Sequence, residues 1–395
     1  MGATVVIGFA EALSAPEVAW SLLDAGFRVR AFARKGRHAA LRHSRHVAVF
    51  EITAPEEDTA AALRELAAGL GTHTGAEGIL LPLDDASVWL MSRLPPAQEW
   101  RLAGPSGRAA EMALDKQRQV EAAVAAGFAV PQSLFVTRPE ELAAPPIPFP
   151  FILRPAHATS ERNGRLAKGR NWICSDAHEL DKARSAWKGD GLMLIQPYLD
   201  GVGEGVFGLA TEEGVVAWSG HRRLRMMNPH GSGASACMSQ SVPASLKEPV
   251  QAFIAACGWR GMFMVELLRA PDGQAWFVEF NGRAWGSMAL ARGQALEYPA
   301  WSARLALDPG FVPVHAPQSR DGVVARNLGR ELMHLLFVLR GPRSSAMRNW
   351  PSVWSTLVAL CRFDRNTVLY NAREWRVFLA DAWHTVRDQL VKSPR

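Results

Sequence analysis

Three oxygen-bearing side chains, Glu266, Glu279 and Asn281, have the types and spacing to hold a hard divalent cation. The stretch around them, from Gly261 to Ser287, reads GMFMVELLRAPDGQAWFVEFNGRAWGS. Two runs rich in β-branched and aromatic residues flank Pro271-Asp272-Gly273, a turn sequence, so a β-hairpin is expected. A two-residue Asp272-Gly273 loop places Glu266 directly opposite Glu279 on one face. Asn281 follows two residues later on that face, and Trp276, Val278 and Phe280 alternate onto the core side. A three-residue loop beginning at Pro271 is the alternative, and it would shift the register by one and separate the carboxylates. The shorter loop is preferred, with a cation between the facing acids to offset their repulsion. Mg²⁺ suits such a set, because it keeps waters and substrate phosphates as its other ligands.

The elements that must position this hairpin lie upstream. Residues 1 to about 110 alternate strand-like runs (Thr4 to Ile7, Arg28 to Ala33, Val47 to Ile52, Ile79 to Leu83) with helix-like ones (Ala15 to Ala25, Thr59 to Ala68). That alternation predicts a parallel sheet covered by helices on both faces. The first turn, Gly8-Phe9-Ala10-Glu11, lacks GxGxxG and predicts no dinucleotide site. Asp84 and Asp85 follow a strand end, where a ligand contact and a helix cap are equally good explanations. Lys116 opens a helix that runs to Ala126, the wrong end of the macrodipole for a cation, which suggests an anionic partner.

The stretch from Glu266 through Glu279-x-Asn281-x-Arg283 resembles the metal-binding hairpin of the ATP-grasp superfamily. The continuation Arg283-Ala284-Trp285-Gly286-Ser287 is similar to that of its carbamoyl-phosphate-synthase-like branch of carboxylate–amine ligases. The resemblance extends to about residue 310 and implies an α/β fold in three parts. These are a Rossmann-like pre-ATP-grasp domain (1–110), a two-lobed ATP-grasp core (111–310, lid lobe at about 131–200) and a helical C-terminal appendage (311–395).

The resemblance also assigns residues. Leu114-Asp115-Lys116, followed by Gly127 and Pro131, looks like the family's first phosphate-binding segment, with Lys116 as the contact. Arg154, at the end of the strand Phe151-Ile152-Leu153-Arg154, matches the second phosphate cation, a guanidinium in place of an ammonium. The loop His157 to Gly164 occupies the place of the phosphate cover but is not glycine-rich, and an ordinary mobile loop is the other reading. Gln196-Pro197-Tyr198-Leu199-Asp200-Gly201 resembles the adenine-bearing hinge, with Gln196, Tyr198 and Leu199 as contacts and Glu204 on the ribose. His221 and Arg223, with Gly231 to Ser235 beyond them, fall where the family handles the transferred phosphate and the carboxylate. Arg283, Arg223 and His221 are therefore the catalytic candidates.

Composition bounds what remains. With 395 residues and 48% hydrophobic content the chain can bury two or three domain cores. Cys174, Cys237, Cys257 and Cys361 form no CxxC pair, so a reduced cytoplasmic setting is expected, with neither a zinc site nor a disulfide framework. The N-terminus has no signal-peptide pattern and no apolar run is long enough to span a membrane. Residues 321–395 hold 12 Lys+Arg and 6 Asp+Glu, a surplus equal to the whole net charge of +6. The body is thus neutral, which argues against a nucleic-acid groove. Ser185-x-x-Lys188 matches an acyl-enzyme pattern without its partners and reads as helix surface.

Leu328 to Leu339, Val353 to Cys361 and Trp375 to Leu390 look helical and carry Trp350, Trp354, Trp375 and Trp383. A cap that buries these aromatics on the body is preferred over a basic face for a membrane surface or partner protein. The implied activity is an ATP- and Mg²⁺-dependent ligase, Mn²⁺ being an acceptable substitute, that activates a small-molecule carboxylate as an acyl phosphate and joins it to an amine. A homodimer is compatible with this. The alternatives are bicarbonate as the acid, a thiol as acceptor, or an ATP-binding module without turnover.

Overall fold

The computed structural model describes residues 2–71, 78–95, 100–187, 189–229, 231, 233–314, 317–342, 350–363 and 365–392. Lys188 and Ser232, named above, lie outside them, and Ser185 is exposed on its helix.

Strands β1 (Thr4–Gly8), β2 (Arg28–Arg34), β3 (Ala48–Ile52), β4 (Gly78–Pro82) and β5 (Trp100–Leu102) form a parallel sheet in the order β3-β2-β1-β4-β5. Consecutive β1 residues Val5, Val6 and Ile7 are all fully buried, as a strand covered on both faces requires. Val5 and Ile7 pack with α1 (Ala15–Asp24), and Val6 packs with α2 (Thr59–Leu70) and α3 (Asp85–Met91). The expected parallel-sheet domain is present. Its strand order reverses between β1 and β4, so the ligand crevice of such a sheet lies beyond their carboxyl ends.

Helices α4 (Gly107–Leu114) and α5 (Lys116–Ala125) lead to a four-stranded antiparallel sheet. It contains β6 (Leu134–Val136) and β7 (Phe151–Pro155), and, after the small pair β8 (Ser160–Arg162) and β9 (Arg165–Ala167), β10 (Trp172–Cys174) and β11 (Met193–Pro197), in the order β10-β7-β11-β6. Helix α6 (Ala177–Trp187) buries Leu180, Ala183 and Trp187 with this sheet. The loop expected to cover phosphates is instead the β8–β9 hairpin, turned by Asn163-Gly164, both at positive φ as a two-residue hairpin turn requires. It docks on the first domain: Thr59 Oγ1 donates to Glu161 Oε1 at 2.8 Å and Leu166 N–H to the Pro55 carbonyl at 2.7 Å.

The third sheet has seven strands: β12 (Val202–Thr211), β13 (Gly214–Met226), β14 (Ala234–Gln240), β15 (Gly261–Arg269), β16 (Ala275–Asn281), β17 (Val324–Arg326) and β18 (Thr367–Leu369). Their order is β16-β15-β12-β13-β14-β17-β18. Helix α7 (Ala244–Cys257) covers one face, and α8 (Met288–Arg292) and α9 (Tyr298–Leu307) lie toward the first domain. The chain passes from the second sheet to the third between β11 and β12, the stretch read as the hinge.

The C-terminal segment is helical, as expected, in α10 (Leu328–Arg340), α11 (Val353–Cys361) and α12 (Trp375–Lys392), but β17 and β18 also extend the third sheet. Met333 and Val377 are fully buried, so α10 and α12 do cover the body. The expectation that the tail buries its tryptophans is corrected: Trp354, Trp375 and Trp383 are 75%, 65% and 64% exposed. The termini are clasped, since Trp20 Nε1 and Ser44 Oγ both donate to Glu374 Oε1, at 3.1 and 2.8 Å.

Candidate active site

The β15–β16 hairpin brings Glu266 opposite Glu279, as expected, but by another route. The loop is the three-residue Pro271-Asp272-Gly273, closed by Ala270 N–H on the Gln274 carbonyl at 2.9 Å. That register alone would set Val278 against Glu266. A bulge at Val278, between the pairs Leu267–Phe277 and Glu266–Glu279, restores the facing acids. The bulge also changes which residues face the core. Ala275, Phe277 and Phe280 are buried there, whereas Trp276 and Val278, expected on that side, are half-exposed.

Strand pairing carries the acidic face across the sheet. Glu266 is opposite Gly205, Gly205 opposite His221, and Arg223 opposite Cys237. The two glycines of β12 clear this face. A Cβ on Gly203 would lie 2.7 Å from Arg223 Cδ, and one on Gly205 would lie 3.0 Å from His221 Nε2. Arg223 crosses the cleared space to place Nη2 at 2.6 Å from Glu266 Oε1. Glu204 alternates onto the opposite face, opposite Leu267, and is paired with Arg269 at 2.7 Å.

The two cations expected at phosphate, Lys116 and Arg154, come from elements outside this sheet. Asp115 caps α5 by accepting from Gln117 N–H at 2.8 Å, which starts the helix at Lys116. Lys116 N–H is fixed on the Ala156 carbonyl at 2.8 Å, and its Nζ lies 3.2 Å from Glu279 Oε2. Arg154, at the end of β7, donates from Nη2 to Gln196 Oε1 at 2.8 Å and to the Val278 carbonyl at 3.1 Å. Val278 is the bulged residue, so its carbonyl is free of the β15 ladder to accept that bond. Gln196 is held in turn by Ser133 Oγ, 2.9 Å from Nε2. The amide oxygen expected to meet an adenine amine is thus engaged by Arg154. Tyr198 N–H donates to the Pro150 carbonyl at 3.0 Å, and Tyr198 and Leu199 stay half-exposed beside the hinge.

Arg283 reaches the first domain. Its Nε lies 2.7 Å from Asp85 Oδ1 at the start of α3, whose cap is Asp84, accepting from Ser87 N–H at 2.8 Å. Of the two explanations offered for Asp84 and Asp85, the helix cap holds for Asp84, and Asp85 has a third role. One caps the helix and the other holds a site arginine across 198 positions of sequence.

Charge is concentrated here. Burial works to raise the Glu279 carboxyl, but Lys116, Arg154 and Arg283 outweigh it and hold it down at about 2. Burial lowers the Arg154 guanidinium, which has no acid within ion-pair distance among the described residues. His221 is 3% exposed, neither ring nitrogen has a hydrogen-bond partner, and burial with Arg223 nearby lowers it to about 3. It is a neutral imidazole at ordinary pH.

Glu266, Glu279 and Asn281 fit a magnesium ion by donor chemistry. Two carboxylates and an amide project from adjacent strands, and Asn281 Nδ2 donates to Glu279 Oε1 at 3.2 Å. These three, with Arg223, Arg283, His221, Trp285 and Ser287, line a cavity of about 140 Å³. The sequence reading brought Lys116, Arg154, Gln196, Arg223, Glu266, Glu279, Asn281 and Arg283 into one neighbourhood. It named Asp85 without its pairing to Arg283, and it missed Ser133 and the paired glycines of β12, for which Gly-Glu-Gly at 203–205 was the available signal.

No family model and no curated protein matches this sequence. Solved structures do match in fold. An L-amino acid ligase from Bacillus licheniformis is 14% identical with TM-score 0.57, over 78% of this chain and 74% of that one. A carboxyaminoimidazole ribonucleotide synthase from Aspergillus clavatus complexed with ATP is 15% identical with TM-score 0.59, over 82% and 81%. The biotin carboxylase domain of 2-oxoglutarate carboxylase from Hydrogenobacter thermophilus, with MgADP and bicarbonate, is 16% identical with TM-score 0.58, over 82% and 73%. The chain has the ATP-grasp fold expected of it.

Proposed function

We propose that the protein is an ATP-dependent carboxylate–amine ligase. The observation that carries this reading is the facing pair Glu266–Glu279, with Asn281 beside it and Lys116, Arg154 and Arg283 gathered around Glu279. Lys116 and Arg154 would bind the β- and γ-phosphates of ATP, with the hinge at Gln196 to Leu199 beside its adenine. Glu204 would meet the ribose once released from Arg269. Glu266, Glu279 and Asn281 would hold Mg²⁺, which would supply neutralisation of the phosphate charge. Arg283 and Arg223 would orient the substrate carboxylate for attack of its oxygen on the γ-phosphorus, ADP leaving. The amine nitrogen then attacks the acyl carbon of the acyl phosphate, phosphate leaves with its bridging oxygen, and the nitrogen gives up a proton. The same arginines face the negative charge of that tetrahedral intermediate. Positioning and electrostatics suffice, and no nucleophilic side chain is needed.

ADP release by the purified protein, screened against carboxylates with and without amines and against bicarbonate alone, tests this, with Glu279→Ala as the blank. Amine-dependent ADP release above the blank is expected. Release that needs only bicarbonate, or that is unchanged in the blank, overturns it.

The reading sets the enzyme in the cytoplasm and gives its C-terminal helices a peripheral contact. Among the described residues no helix is long and apolar enough to cross a membrane. Exposed Trp354, Trp375 and Trp383, in a segment that holds the whole charge surplus, suit an anionic membrane surface. Co-sedimentation with phosphatidylglycerol vesicles, lost in the Trp375→Ser/Trp383→Ser variant, is expected. No binding above a phosphatidylcholine control removes the idea.

A further inference from the structure

Two half-buried guanidiniums near the acidic face lack an acidic partner among the described residues. One is Arg154, which the ligase reading assigns to phosphate. The other is Arg330, in the first turn of α10, and nothing above accounts for it. Among the described residues its guanidinium donates to the Ala234 carbonyl alone, 3.2 Å from Nη1. The neighbouring acid of α10, Glu331, is already shared by Arg225 and Arg326, at 3.0 and 2.8 Å. The backbone makes room for Arg330, since a Cβ on Gly233 would lie 2.4 Å from its Nη1. A cation partly withdrawn from water without a counter-ion carries a desolvation cost, and an anionic ligand would offset it.

Arg330 stands at a junction. It lines both the cavity of Glu266, Glu279 and Asn281 and a second chamber of about 470 Å³, and Leu13 is the other residue common to the two. The chamber lies beyond the end of β1, where Glu11 sits, and α12 closes it with Asp381 and His384. Asp381 is the complement of Arg330. It is half-buried, accepts from the neutral Asn327 Nδ2 at 3.0 Å, and has no cation within ion-pair distance among the described residues. Each feels the other's charge, yet they do not pair. Glu11 on the facing wall is already paired with Arg34, which lines the chamber too, its Oε2 lying 3.9 Å from Arg34 Nη1.

A guanidinium and a carboxylate held apart across one chamber match a ligand that carries the opposite charges. We infer that the chamber seats a free amino acid, Arg330 taking its carboxylate and Asp381 its ammonium group. The carboxylate then lies at the mouth of the magnesium-type cavity, and the side chain extends into the outer chamber. Only the further statement, that this carboxylate is the one activated, rests on the ligase reading.

Thermal-shift titrations of the full chain with the proteinogenic L-amino acids, each beside its α-amide and its N-acetyl derivative, test the inference. At least one free amino acid should raise Tm, and its amide and N-acetyl forms should bind at least about tenfold more weakly, as loss of a charge-assisted bond predicts. Arg330→Gln and Asp381→Asn should each abolish the response while keeping the shift caused by MgATP, which reports that the variant is folded. No response to any amino acid, or equal responses to the blocked forms, overturns the inference, and this ligand arm needs no variant. A MgATP shift that is absent, or unchanged in Glu279→Ala, would instead count against the ligase reading alone.

Discussion

Lys116 Nζ lies 3.2 Å from Glu279 Oε2, so the cation proposed for a phosphate and the acid proposed for a metal are each other's counter-ion in the free protein. Arg223 and Glu266 repeat the arrangement at 2.6 Å. Binding MgATP would exchange partners, cations to phosphates and acids to metal, with little new charge to bury. Glu279→Ala should therefore cost ADP release at least about a hundredfold, within the several kcal/mol that metal-assisted neutralisation supplies. Lys116→Met and Glu279→Ala should also be non-additive in nucleotide-free stability, with a coupling of about 0.5–3 kcal/mol by urea denaturation. Strictly additive effects would mean that the pair does not form.

The exchange was only partly legible in the sequence. Alternation and turn composition brought out Glu266, Glu279 and Asn281 because cross-strand pairing is local. The loop length was misread, since Pro271-Asp272-Gly273 accepts two registers. The compensating bulge carries no mark, because Val278 is an ordinary strand residue. The parallel sheet was legible from its apolar runs. Asp85 meets Arg283, and Arg330 shares a chamber with Asp381, only through tertiary packing, and no periodicity reports the meeting of segments from different parts of the chain. The β8–β9 hairpin could have been found, as Asn163-Gly164 is a strong turn pair.

Arg154 makes two bonds from one nitrogen, to Gln196 and to the bulged carbonyl of Val278. A lysine there keeps the charge but cannot hold both acceptors and still present a fork to phosphate. Arg154→Lys should raise the KM for ATP about tenfold, the worth of one charge-assisted bond, with kcat less affected. Unchanged KM in initial-rate measurements would count against the phosphate assignment.

Asp85 ties the site arginine to the first domain. Burial disfavours its ionised form, but Arg283 overcomes this and lowers its pKa. The pair is about one-fifth exposed on each side. Asp85→Asn should cost about 1–3 kcal/mol of stability, less than a fully buried pair would lose. It should also lower kcat/KM for the carboxylate about tenfold, through a misplaced Arg283, and leave the KM for ATP alone. A purely structural Asp85 would change stability without that kinetic split.

His221 gives the pH dependence. Burial, with Arg223 second, lowers it from 6.5 to about 3, so the folded protein keeps it neutral where the unfolded chain binds a proton. The sign follows: stability falls as pH drops from about 6.5 toward 3, and is unaffected by this group above that window. One proton taken up only on unfolding corresponds to at most about 1.4 kcal/mol per pH unit. His221→Phe keeps the ring against Phe207, whose centroid is 4.8 Å away, and removes the titration. Urea denaturation from pH 7 to 4 should show a shallower slope in the variant by up to one proton. An identical slope, or a limb near pH 6.5 in wild-type kcat that the variant abolishes, would show that His221 is charged and working in the site.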